Sequence, residues 1–190
     1  FDSKANVDLS TAKAFFKLDS LEVANGNLEI NLKYNGYIKE LSNIKASEVR
    51  KLNASGTLRL SNTKLKLVNH PKTVNNINGS FKFNNNDVQI DTLKFEINES
   101  KFELDGKFKN LLAFLFIEGE YLSVKTNFYT NKLMLDDLLI KSKKSKNAPA
   151  YSLALPKNIV LSFKAKIDTF QFRKFTATNF RGYIQLEDQV

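Results

Sequence analysis

The chain has no cysteine and no tryptophan, and only one histidine, one methionine, three prolines and seven glycines among its 190 residues. Each scarcity removes a class of chemistry. Without cysteine there can be no disulfide, no thiolate nucleophile and no thiolate-bound zinc. The lone histidine, His70, precedes Pro71 where a turn is expected, so neither a nucleophile–base pair nor a histidine metal site can be assembled. No two glycines lie close enough to build a phosphate-cradling loop. The longest apolar run, residues 111–117, is far too short for a membrane-spanning helix, and no secretory leader is visible. The neighbouring carboxylates, Glu118 with Glu120 and Asp136 with Asp137, suit a solvated rim and a helix terminus better than an acid–base pair. The matches to the glycosylation triplet at Asn53, Asn78 and Asn98 are what so many turn asparagines produce by accident. No enzyme, cofactor or metal site is expected.

The net charge of +9 raises the question of nucleic acid. The lysines, however, fall on the polar phase of alternating segments: Lys33, Lys64, Lys66, Lys82, Lys94, Lys164 and Lys166. A nucleic-acid surface needs aromatics interleaved with cations on one face, and here the two segregate, so no nucleic-acid partner is expected. The dense cationic run at residues 141–146 reads as a loop that could touch anionic headgroups.

What the chain does have is alternation. From Ile77 to Leu111, apolar and polar residues alternate in three segments separated by asparagine-rich turns, the pattern of antiparallel strands with one buried face. A two-residue turn at Asn85-Asn86 sets Phe83 against Val88 and Phe81 against Ile90. A second, placed at Glu99-Ser100, sets Ile97 against Phe102 and Phe95 against Leu104. Ile90 and Leu93 are three apart, which requires a β-bulge at Asp91-Thr92 to keep both on the same face.

That bulge string recurs. Residues 18–23, 90–95 and 167–172 share the order aliphatic, Asp, Ser or Thr, apolar, polar, apolar, and each is followed by a strand bearing Gly36, Gly106 or Gly182. Gly56 and Gly79 begin similar strands. Serial use of one supersecondary unit follows, with sub-repeats at roughly residues 16–60, 61–125 and 126–190 of a single β domain. Further hairpins are expected at Asn25-Gly26, pairing Val23 with Leu28 and Leu21 with Ile30, and at Ser61-Asn62-Thr63. Residues 41–52 read as a short helix or an irregular strand, 110–117 as a helical turn or buried strand, and 133–139 as a turn of helix. The first fifteen residues give no firm pattern. The chain starts with Phe1 and reads as a fragment of a longer one.

The expected fold is all-β: an antiparallel meander of hairpins in a twisted, curved, one-sided sheet with few short helices. Such a face must be covered. The sheet could pack on a second one as a sandwich, close into a barrel, or curl into a trough whose lining meets an apolar ligand. Lining residues of a trough would be Phe81, Phe83, Ile90, Phe95, Ile97, Phe102, Leu104, Phe108, Leu161 and Phe163.

The strings Ser55-Gly-Thr-Leu-Arg-Leu, Asn76-Ile-Asn-Gly-Ser-Phe-Lys-Phe and Ser100-Lys-Phe-Glu-Leu-Asp-Gly-Lys-Phe-Lys-Asn-Leu, with the later Leu133-Met-Leu-Asp-Asp-Leu-Leu and Leu155-Pro-Lys-Asn-Ile, resemble the C-terminal region of AsmA-like bacterial envelope proteins over residues 50–190. The resemblance implies a periplasmic β-groove with an apolar interior, tethered to the inner membrane by an N-terminal anchor lying outside this chain. It also implies a role in outer-membrane biogenesis and phospholipid movement, with lipid and envelope proteins as partners. A sealed β-sandwich binding protein or glycan through its loops is the alternative.

Overall fold

The computed structural model describes residues 2–15, 20–35, 53–68, 72–117, 119–138 and 158–186. The readings made for residues 41–52, His70 and the lysine run at 141–146 lie outside them. Nine strands run in chain order: β1 (Asp2–Asp8), β2 (Leu21–Tyr34), β3 (Ala54–Leu67), β4 (Thr73–Asn84), β5 (Asp87–Ile97), β6 (Ser100–Lys109), β7 (Leu122–Met134), β8 (Ile159–Phe172) and β9 (Phe175–Leu186). Among the described residues three short helices interrupt them: α1 (Leu9–Phe15), α2 (Leu111–Phe116) and α3 (Leu135–Leu138). None is long and apolar enough to cross a membrane.

All nine strands join one sheet whose spatial order is its sequence order, with β1 and β9 as open edges. Among the described residues there is no second sheet, so they do not form the sandwich. Strands pack against their sheet neighbours and none lies face to face across another. The expected meander is broken once, because β7 and β8 pair in parallel. A parallel pair needs the chain to return to its starting end, which a hairpin cannot do. The connection between β7 and β8 is long enough for that return, and α3 begins it.

The central hairpins form as the alternation requires. At Asn85-Asn86, Phe83 pairs with Val88 and Phe81 with Ile90. The next turn sits one residue earlier than expected, at Asn98-Glu99, so Phe95 pairs with Phe102 and Leu93 with Leu104. The reason is local: Asn98 adopts φ 53°, a left-handed conformation that asparagine tolerates and glutamate resists. The register moves by two residues, so every side chain keeps its face.

Two expected hairpins are instead continuous strands. β2 runs straight through Asn25-Gly26, and β3 through Ser61-Asn62-Thr63. The β2–β3 register slips between Asn25 and Asn27, opposite the Ser61–Lys64 stretch. Gly26 (φ 117°) presses against β3 so closely that a Cβ there would lie 2.6 Å from the Thr63 Cα. Asparagine and glycine at positive φ make a bulge as readily as a turn, and period-2 alternation on both sides cannot distinguish the two. The bulge at Asp91 is present: Ser80 pairs with Thr92 and Phe81 with Ile90, which leaves Asp91 over. Asn76 (φ 51°) marks a similar slip in β4. In the third copy of the string, at Ile167-Asp168-Thr169-Phe170, the register with β9 stays unbroken. There the β9 partner strand takes its own left-handed residue, Asn179 (φ 55°).

Glycine is required where a neighbouring ring lies over the backbone. At Gly56 a Cβ would overlap the Asn31 carbonyl oxygen and come within 2.8 Å of the Phe83 Cζ; at Gly182 the nearest atom, the Phe180 Cε1, is 3.3 Å away. Gly56→Ala is therefore expected to destabilise by about 1–3 kcal/mol, the usual range for overpacking. Gly182→Ala should leave the urea midpoint nearly unchanged. Paired urea titrations of the two variants check this.

Candidate functional site

The pairing registers carry side chains into rows that cross the sheet. One row runs Ala5, Ile30, Leu58, Phe81, Ile90, Gly106, Thr126, Phe163, Ile184, one residue from each of the nine strands. The row on one side is Val7, Leu28, Leu60, Gly79, Leu93, Leu104, Phe128, Ala165, Gly182. On the other side Leu32, Gly56, Phe83, Val88, Phe108, Val124, Leu161 and Leu186 follow one another from β2 to β9. Directly opposed residues share a face, so these rows form one apolar surface without a charged side chain in it.

All ten residues singled out in the sequence lie on that surface. Phe81, Ile90 and Phe163 share the first row; Phe83, Phe108 and Leu161 share another; Leu104 stands in the row of Phe128. Phe95 is opposite Phe102, and Ile97 lies between Val74 and Ser100. Two of the ten are not available to a ligand: Ile90 and Phe102 are buried among their neighbours. The other eight are half-buried.

The sequence reading omitted Phe128, which joins the two halves of the surface. Phe95 stacks on Phe102 with ring centroids 4.9 Å apart, Phe102 meets Phe128 at 5.9 Å, and Phe128 meets Phe163 at 5.4 Å. Four rings thus step diagonally across β5, β6, β7 and β8, each contact contributing about 0.5–1.5 kcal/mol beyond simple burial. In the sequence Phe128 shares the even, apolar phase of Leu122 and Val124, but only the register shows that it bridges Phe102 and Phe163.

Threonines fill the low places of the surface. Thr63 and Thr130 are fully buried, and Thr126 nearly so. Each hydroxyl finds a backbone carbonyl: Thr126 Oγ1 donates to the Asp105 oxygen at 2.7 Å and Thr130 Oγ1 to the Lys132 oxygen at 3.0 Å. Their polar atoms are thus satisfied within the sheet.

Among the described residues little covers this surface. Among them α1 packs on β1 and β2, α2 on β5 and β7, and α3 on β8. Helix α2 is tied to the β4–β5 turn, where the Leu112 backbone N–H donates to the Asn86 carbonyl at 3.2 Å and the Asn110 N–H to Asp87 Oδ1 at 2.8 Å. It buries Ala113 and Ile117. Among the described residues these three helices are the elements seen against the sheet, and most members of the apolar rows are half-buried.

The opposite face is polar. Lys33, Lys64, Lys82, Lys94, Lys164 and Lys166 are exposed there, as the alternation requires. Two aspartates of the recurring string, Asp91 and Asp168, act as ties between strands. Asp91, the extra residue of the bulge, pairs with the Lys82 Nζ at 2.8 Å and accepts from the Gln89 amide at 2.8 Å. The Tyr129 hydroxyl donates to Asp168 Oδ2 at 2.6 Å, and the Lys166 ammonium lies 5.1 Å from the centre of the same ring. Shallow depressions on this face, including one of about 300 Å³ beside Glu103, Asp105, Lys164 and Lys166, gather no set of groups suited to acid–base work. Among the described residues no cluster of three potential ligands could hold a metal ion.

Hydrogen bonding from Lys82, then Gln89, lowers the Asp91 carboxyl below its usual value of 3.8. Asp8, which caps α1 by accepting from the Ser10 hydroxyl and the Thr11 and Ser10 backbone N–H groups, is lowered as well, chiefly by Ser10. A carboxyl depressed in the folded state stabilises fully above its unfolded value, and that contribution is lost as pH falls through the folded one. Asp91→Asn is therefore expected to flatten the fall in stability below about pH 4. Acid titration of the unfolding midpoint, wild type against variant, measures it.

No protein-family model, no curated protein and no solved structure matches the chain.

Proposed function

We propose that this chain is a non-enzymatic β-groove segment that binds lipid acyl chains along its apolar face. The observation that carries the reading is the set of uninterrupted apolar rows on which, among the described residues, no second layer lies. Leaving large aliphatic and aromatic side chains in water forgoes roughly 1.5–3 kcal/mol apiece. A surface built from nine strands at that cost is explained by a ligand that covers it. Strands spaced at about 4.7–4.9 Å make the two rows that cross all nine about 38 Å long, a continuous track across the strands. The bulges at Asn62, Asn76 and Asp91 are devices that bend a sheet, as a trough requires.

In this reading binding is passive. Acyl chains exchange water for Phe83, Phe95, Leu104 and Phe163, while headgroups stay in solvent at the rim near lysines. The resemblance to AsmA-like proteins supports phospholipid as the cargo, the periplasm as the compartment, anchorage in the inner membrane from outside this chain, and outer-membrane biogenesis as the setting, with envelope proteins as partners.

The test is native mass spectrometry of the detergent-free protein, with extraction and identification of bound lipid. Near-stoichiometric phospholipid is expected. A lipid-free mass, with no uptake of a fluorescent phospholipid offered afterwards, would sink the proposal.

A further inference from the structure

On the polar face, in the interior of the sheet, two walls of opposite charge stand on either side of β7. Glu103 and Asp105 are two residues apart on β6 and so point the same way; Lys164 and Lys166 do the same on β8. The pairing sets them in two lines, Glu103–Tyr129–Lys166 and Asp105–Asn127–Lys164, each running acid, neutral, cation across three neighbouring strands. Together the six line an open depression of about 300 Å³. All except the half-buried Tyr129 are exposed.

Among the described residues no ion pair crosses β7 from one wall to the other. Glu103 is drawn the other way, its Oε2 3.3 Å from the Lys94 Nζ on β5. Asp105 Oδ2 accepts from the Asn127 amide at 2.8 Å. Lys166 lies over the Tyr129 ring, whose hydroxyl donates to Asp168. Lys164 makes no ion pair among the described residues. Each carboxylate therefore keeps a second oxygen, and Lys164 its ammonium, for a ligand.

We propose that this depression binds a small zwitterion of the phosphoethanolamine type, its ammonium toward Asp105 and Glu103 and its oxyanion toward Lys164 and Lys166. An ion of one sign alone is attracted by one wall and repelled by the other, so the pair of walls selects a ligand that carries both charges. The spacing sets their separation. Two strand spacings put the walls about 9.5 Å apart, and a hydrogen bond of about 2.8 Å at each end leaves about 4 Å between the ligand's charges. A two-carbon link between ammonium and phosphate spans that gap. The ammonium must be primary, because carboxylate oxygens need N–H donors. A quaternary ammonium is recognised instead by an open aromatic face, and the Tyr129 ring already has Lys166 against it. The site lies on the face opposite the apolar rows and stands whether or not lipid occupies them.

The experiment titrates the intact, isotope-labelled protein with soluble phosphoethanolamine, phosphocholine, ethanolamine and inorganic phosphate in turn, read by amide chemical shifts. Shifts are expected around Asp105, Asn127 and Lys164, with phosphoethanolamine bound about fivefold tighter than each of the other three, the scale of one exposed ion pair. Neutralising the acidic wall (Glu103→Gln with Asp105→Asn) should bring phosphoethanolamine down to the level of phosphate. Neutralising the cationic wall (Lys164→Gln with Lys166→Gln) should bring it down to the level of ethanolamine. Phosphatidylcholine nanodiscs with and without phosphatidylethanolamine distinguish the source. Shifts of the same amides with phosphatidylethanolamine support a lipid headgroup, and shifts with the soluble compound alone support a free solute. The proposal is overturned if phosphate or phosphocholine binds as tightly as phosphoethanolamine, if the shifts fall elsewhere, or if neutralising the acidic wall strengthens phosphoethanolamine binding.

Discussion

Replacing Phe102 with alanine is expected to lower the free energy of unfolding by about 3–5 kcal/mol, the range for deleting a buried aromatic ring. Phe102 is 5% exposed and is the largest of the buried apolar side chains among the described residues. Its ring is held between Phe95 at 4.9 Å and Phe128 at 5.9 Å, so its loss leaves a gap that neither neighbour can close without moving its own strand. Five of the twelve buried apolar residues are alanines, which have little volume to contribute. A domain is commonly stable by 5–15 kcal/mol, so one such deletion consumes a large part of the total. Phe163→Ala, at the end of the same ladder with a single ring contact recorded at 5.4 Å and its side chain half-buried, should cost about 1–2 kcal/mol. Urea unfolding followed by far-ultraviolet circular dichroism separates them. Equal losses would mean that the ladder does not anchor the sheet at Phe102.

How far the sequence reaches is shown by the residues where it succeeds and where it stops. Period-2 alternation placed Phe81, Phe83, Phe95, Leu104, Phe108, Leu161 and Phe163 on one face, because the alternation is itself the geometry of a pleated strand. The bulge at Asp91-Thr92 was legible for the same reason: a spacing of three between Ile90 and Leu93 admits no other way to keep both on that face. Asn25-Gly26 and Asn62 were misread as hairpin turns. Asparagine or glycine at positive φ serves a turn and a bulge alike, and the difference lies in which strand stands opposite. The parallel pairing of β7 with β8 had no local signal either, since parallel order is not written in either strand's own alternation. Phe128 illustrates the last limit. Its phase is written in the sequence, but its contacts with both Phe102 and Phe163 arise from two separate registers, one antiparallel and one parallel.

Phe163→Asp is expected to abolish phospholipid capture while the sheet still folds. Phe163 stands in the row that crosses all nine strands, between Thr126 on β7 and Ile184 on β9, the latter 48% exposed. A carboxylate there can reach water when the face is empty, so the fold should lose only about 1–2 kcal/mol of burial and packing. Once acyl chains cover the row, the same carboxylate must either be desolvated or hold water within the apolar track. Either costs several kcal/mol, so bound phospholipid should fall by more than about tenfold. Phe163→Leu keeps the apolar lining and should retain the lipid. Phe102→Asp cannot serve as this probe, because a charge at a buried ring position unfolds the sheet whatever the face does. The two readouts are lipid recovered by extraction and the urea midpoint of the lipid-free protein. Loss of folding in Phe163→Asp would mean that the face is sealed against water. Full lipid content in a folded Phe163→Asp protein would mean that acyl chains do not lie on this row.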